Sequence, residues 1–148
     1  MTYIAEVAAY FQELYEEKFM KKIDEMKLHK LLYLAQREHY ILHKSAWFEG
    51  DFYAQRFGPV SLTVRTMYKS GDFKGHILSK VEIEKNKDLI EDVFRRYAAK
   101  SSWSLSSITH GEQSWIRAHK RGTDNKIHNE DIEEDALRAK LRRLINNI

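Results

Sequence analysis

The chain has 148 residues and a mass of 17.6 kDa, the size of one domain that can bury a core without disulfides or metals. It contains no cysteine, which excludes thiol chemistry and cysteine-ligated zinc and fits a reducing, cytoplasmic setting. The net charge is only +3 and the pI about 9.0, with Lys and Arg mixed among nearly as many acids, so the balance argues against a dedicated nucleic-acid binder.

The opening TYIAEVAAYFQELYEEKF places Ile4, Val7, Ala8, Phe11 and Leu14 at the spacing of one buried helix face. It lacks the cationic start of a signal peptide, and no apolar run in the chain approaches the roughly 18 residues of a membrane span. Asp24 is suited to cap a second helix reaching about Lys44, with Leu28, Leu31, Leu32, Ala35 and Leu42 as its apolar stripe. Residues 45–60, SAWFEGDFYAQRFGPV, change character: two glycines, the single proline and a run of aromatics predict an extended segment or one arm of a small hairpin. Gly58–Pro59 cannot continue a helix, so FGPV is read as the junction into a helix over 60–70, with Phe57 and Val60 stapling it to the core. Ser61 stands near that helix's start, and Gly71 is its stop signal. Ser79–Lys85 alternates Val81 and Ile83 with charges, which predicts a short strand paired with the 50s. A helix from Asn86 or Asp88 carries Leu89, Ile90, Val93, Phe94 and Tyr97, with Asp88 and Glu91 at capping-box spacing. The serine-rich KSSWSLSSI reads as a turn, and Thr109 with Glu112 at the same spacing predicts a helix from His110 carrying Trp115 and Ile116. After a polar loop, a last helix from about Asp131 places Ile132, Leu137, Leu141 and Leu144 inward. The expected fold is therefore mainly α, a single-domain bundle of about six helices with a small β-hairpin or extended segment (about 48–57 and 79–85).

Few residues group in a way that specifies chemistry. His39 and His43 share a helix face, but no third ligand stands at a telling spacing, so both are read as helix-packing and helix-capping histidines and no metal is expected. Serines 101, 102, 104, 106 and 107 cluster without a nucleophile-elbow sequence, and no glycine-rich phosphate loop is present. No catalytic residue, cofactor or enzymatic activity is expected. The last helix runs from EDIEED to RAKLRR; acids first and bases last complement the helix dipole, and Glu134 stands four residues before Arg138. A phosphate-binding role for the basic end supports the alternative reading, a nucleic-acid-binding protein of a prophage or mobile element. The aromatic content of 12 % exceeds what one small core face takes, which favours a protein-interaction module.

Three segments in order resemble the Panacea domain, the family of SocA-like antitoxins and phage-associated GepA proteins. MKLHKLLYLAQ (26–36) is similar to its KLQKLLYFAQ helix, matching at Lys27, Leu28, Lys30, Leu31, Leu32, Tyr33, Ala35 and Gln36. FYAQRFGPVSLTVRTMYKSG (52–71) resembles the FEAWKYGPVVPEVYKKYK block at Phe52, Ala54, Phe57, Gly58, Pro59, Val60 and Tyr68. ITHGEQSW (108–115) matches the third at Thr109, His110 and Trp115. His29 replaces the usual glutamine, Gln55 a tryptophan and Leu62 a second proline. The resemblance spans residues of roughly 5–120 within one domain over 1–148, leaving the C-terminal loop and helix of 121–148 outside it. It implies an antitoxin that neutralises a cognate protein toxin by direct binding, or that acts as a proteolytic adaptor delivering it to a cytosolic AAA+ protease. Its partner-binding residues are then expected among Tyr33, Gln36, Phe52, Phe57, Gly58, Pro59, Val60, His110 and Trp115.

Overall fold

The computed structural model describes residues 1–122 and 125–146, and within them the chain is mainly helical, as expected. Helix α1 (Ile4–Phe19) and helix α2 (Glu25–His43) form where apolar spacing places them. Asp24 caps α2 by accepting from the Lys27 N–H at 3.3 Å. Helix α2 is the central axis: Lys27 to Tyr40 are buried around its whole circumference, and α1, residues 58–70, 87–98, 102–110 and 129–146 pack on it. Leu42, expected on its apolar stripe, is exposed instead, while its neighbour Ile41 packs against the core.

A two-residue turn joins β1 (Tyr53–Gln55) and β2 (Gly58–Val60), paired antiparallel with Ala54 opposite Pro59. The FGPV expectation is corrected in part. Pro59 lies in β2 and helix α3 begins only at Leu62, capped by the Ser61 hydroxyl, which accepts from Val64 N–H at 3.2 Å. Val60 is fully buried, but Phe57 sits at the hairpin tip with 43 % of its surface exposed and staples nothing. Helix α3 (Leu62–Ser70) stops at Gly71, whose φ of 72° is the left-handed conformation that glycine adopts without strain.

The hairpin's further partner is the segment 125–127, not residues 79–85. Ala54 N–H donates to Asn125 O and Ile127 N–H to Phe52 O, each at 2.8 Å. Residues 80–85 form helix α4 (Lys80–Lys85), with Ser79 accepting from Glu82 N–H at 3.2 Å. Ile83 packs on the core while Val81 faces water, so the alternation that suggested a strand is one turn of a surface helix. Helix α5 (Lys87–Val93) follows without the expected Asp88 capping box and runs into a π-helical turn at Phe94–Ala98. The aromatic ring of Phe94 meets Phe11 edge-to-face with centroids 5.2 Å apart.

The serine-rich stretch is also helical. In α6 (Ser102–His110) the Ser101 hydroxyl caps Ser104 N–H at 3.1 Å, and Leu105 and Thr109 face inward one turn apart. Helix α7 (Gln113–Lys120) therefore starts later than expected, with no cap from Thr109. Its cap is supplied from α8 (Asn129–Asn146): the Asp135 carboxylate accepts from Gln113 N–H at 2.9 Å and Ser114 N–H at 3.1 Å. Helix α8 turns Ile132 inward as expected, together with Asp135, Ala136 and Ala139, whereas Leu137, Leu141 and Leu144 are exposed, the reverse of the sequence expectation for those three. Small residues let α8 lie close against α2, and the carboxylate is needed at the α7 terminus.

Candidate functional site

The polar residues of α2 anchor the surrounding elements to it. Lys27 Nζ donates to Tyr15 OH at 3.1 Å and to Ala98 O at 3.0 Å. The Tyr33 hydroxyl shares a short bond with Ser114 Oγ and donates to Asp135 at 2.9 Å. Gln36 accepts from Trp47 N–H and donates to Phe48 O, both at 2.8 Å, holding the aromatic loop after α2. The Arg37 guanidinium pairs with Glu112 and donates to Tyr97 OH at 2.9 Å, while Glu38 pairs with Arg143 of α8. Each of these α2 groups is buried and bonded internally, as low-dielectric surroundings require.

The segments quoted from 26–36, 52–71 and 108–115 meet at Gly58. A Cβ there would lie 2.8 Å from Thr109 Oγ1 and 2.9 Å from Lys30 Cε, and its φ of +120° is open only to glycine. Lys30 beneath it is fully buried, and among the described residues no group accepts a hydrogen bond from its Nζ. Desolvation pushes the ammonium down to about 8, with Arg65 adding to the effect and Asp24 and Glu25 opposing it.

Beside it, His29 has one tautomer imposed by its neighbours. The Ser61 backbone N–H can only donate, so Nδ1 accepts it at 3.2 Å and Nε2–H donates to Glu25 at 2.9 Å. Burial holds this imidazole down to about 4 despite Glu25, so it is neutral in the native protein at neutral pH. The unfolded chain therefore binds a proton that the folded chain does not, and stability drains away as pH falls from about 6.5 to about 4, by about 3 kcal/mol in all. A glutamine amide makes both bonds without titrating. His29→Gln is expected to fold normally and to lose that part of the acid-side slope, measured as urea midpoints from pH 7 to pH 4; an unchanged slope disproves the assignment.

Above this buried layer an aromatic surface opens. Trp115 donates its indole N–H to Gln55 O at 2.9 Å and lies between His110 and His119, with ring centroids 4.1 and 4.6 Å away and planes within 17°. Burial lowers the His110 pKa, while a hydrogen bond to the Arg56 backbone opposes it. The hairpin tip is pinned by Ser106 Oγ donating to Phe57 O at 2.8 Å, and the Arg56 guanidinium lies 5.2 Å over the Phe57 ring. Trp103 on α6 is 73 % exposed.

Of the residues named from the sequence, Tyr33, Gln36, Phe52, Gly58, Pro59 and Val60 are buried, whereas Phe57 is exposed and His110 and Trp115 are half-buried. Reading the sequence missed Arg37, Glu112, Asp135, Trp103 and His119. His119 was legible as the residue four after Trp115 on one helix face; Arg37 and Asp135 carried no such signal, since a charge in a helix reads as solvent-facing, and Glu112 reads from the sequence only as a capping partner of Thr109. His39 and His43 lie 4.5 Å apart, His39 bonded to Ser45 O at 2.6 Å, and among the described residues no three His, Asp or Glu side chains gather as a metal-binding group. At the basic end of α8, Arg138 pairs with Glu134 at 3.0 Å as the spacing suggested. Among the described residues no helix is long and apolar enough to cross a membrane.

One family model, described as antitoxin SocA-like, Panacea domain, matches residues 28–116. Comparison with curated proteins and with solved structures gives no match.

Proposed function

The chain belongs to the antitoxin SocA-like, Panacea domain family, and from that premise we propose that it neutralises a cognate protein toxin by binding it directly in the cytoplasm, without catalysis. The observation that carries the choice of surface is the division within the family's own motif residues. Tyr33 and Gln36 are bonded internally and Phe52, Gly58, Pro59 and Val60 are packed away from solvent, which leaves exposed Phe57 and half-buried His110 and Trp115, with exposed Trp103 of α6, as the side chains able to meet a partner. Aromatic anchors on a rigid support lose little conformational entropy on docking, and this group rests on a hairpin and helix already tied down by Trp115 and Ser106. Delivery of the bound toxin to an AAA+ protease uses the same encounter and differs only in the later fate of the toxin.

The neighbouring open reading frame, expressed alone, should arrest growth and be tolerated with this chain. Phe57→Ala should abolish that protection while shifting stability by no more than about 0.5 kcal/mol, since an exposed truncation leaves the core untouched. Protection by the variant equal to that of the natural chain removes Phe57 from the interface. A fall in the toxin's cellular level only when the protease is present distinguishes the adaptor route from simple occlusion.

A further inference from the structure

The outward face of α8 carries an apolar strip with no partner among the described residues. Leu137, Leu141 and Leu144 are 57 %, 49 % and 56 % exposed, and their spacing of four and three residues is that of a seam for another helix. At 3.6 residues per turn this strip lies roughly opposite Ile132 and Ala139, which face the core, so the helix buries one side and offers the other. Lys140 flanks the strip on one side and Arg138 on the other, with Arg142 about 40° further round on that side. Arg138 is engaged by Glu134, and Arg143, on the inner side, by Glu38. A groove of about 470 Å³ continues the surface between Tyr40, Ile41 and Lys44 of α2 and Leu137 and Lys140 of α8. Glu130, Glu133 and Glu134 line the groove's other end.

We propose that this strip docks an acidic amphipathic helix of a protein partner, leucines against Leu137, Leu141 and Leu144 and carboxylates against Lys140 and Arg142. The charges select that occupant. Residues 137–146 hold four cations (Arg138, Lys140, Arg142, Arg143) and no acid, so matching the leucines of two copies of this chain brings cations against cations in either orientation. The antiparallel register that instead pairs Glu130 and Glu134 with Arg142 and Arg138 sets Leu141 against Asp131 and Leu137 against Asp135. The acids at the N-terminal end also require the partner helix to sit over the C-terminal half. Helix α8 lies outside residues 28–116, so the contact belongs to this chain and not to the part matched by the family model.

The test uses two labelled synthetic helices with identical leucine seams, one with Glu and one with Lys at the flanking positions, titrated with the full chain by fluorescence anisotropy. The Glu helix should bind at least about tenfold more tightly than the Lys helix, and the gap should shrink with salt. Leu141→Glu should abolish binding of both, with thermal unfolding confirming the fold. Lys140→Glu combined with Arg142→Glu should reverse the preference. Equal binding of the two helices, binding unaffected by Leu141→Glu, or a dimer of the natural chain that this substitution dissociates would each overturn the proposal. The assay contains no toxin, so its outcome is independent of whether the Phe57 surface neutralises one.

Discussion

Arg37→Met should lower folding stability by about 3–5 kcal/mol, the cost of leaving a buried charge without its partner. Arg37 and Glu112 are each almost wholly buried, with the guanidinium bonded to the Glu112 carboxylate and to Tyr97 OH. Methionine replaces the aliphatic stem but leaves Glu112 facing apolar surroundings. Burial already pushes the Glu112 carboxyl above its ordinary range, and Arg37 is the largest force opposing that rise. Without it, the carboxyl must take up a proton or draw in water. At the transition slope of a domain this size, the midpoint should fall by about 10–15 °C. Combining Arg37→Met with Glu112→Gln removes the orphaned charge and should recover about half of the loss. A single-variant loss under about 1 kcal/mol, or no recovery in the double variant, contradicts the account. Glu112 is the residue from which α7 springs, so the single variant should also displace Trp115 and weaken any contact made there.

Lys30→Met is expected to do the opposite and stabilise the protein by about 2–3 kcal/mol near neutral pH. The native ammonium is desolvated and without an acceptor among the described residues, and its pKa is pushed down to about 8. Between pH 8 and pH 10.5 the unfolded chain holds a proton at this lysine that the folded chain has lost. Stability of the natural chain therefore climbs with pH across that window, and the penalty is fully present below it. Methionine has nothing to desolvate. The stability difference between the two proteins should shrink as pH rises from 8 to 10.5, read as paired urea midpoints. A variant less stable than the natural chain at pH 7 shows that the Lys30 ammonium is held by a group that stabilises it.

Several features were legible because their causes are local. Asp24, Ser61 and Gly71 act on backbone groups within a few residues, so each was readable as a cap or a stop. Gly58–Pro59 was legible as a break in helical structure for the same reason. Periodicity was less secure where a segment was short. Val81 and Ile83 fit a strand as well as a helix until Ser79 and the core side of Ile83 decide, and the serine-rich stretch hid Leu105 and Thr109 one turn apart. In α8 the regular leucines suggested the core face, yet beyond Ile132 the core receives alanines and an aspartate, because α2 must approach closely and α7 needs a cap.

By itself, then, the sequence determined the long helices α1, α2 and α8, the caps at Asp24 and Ser61 and the three motif segments, since each depends on neighbours within a turn or two of chain. The tertiary structure alone decided which polar residues are buried and which apolar ones are not. Arg37 meets Glu112 from 75 residues away, and Tyr33 meets Asp135 from 102. Whether a lysine, an arginine or a leucine faces water depends on what the rest of the chain lays over it, and no spacing within one segment carries that information.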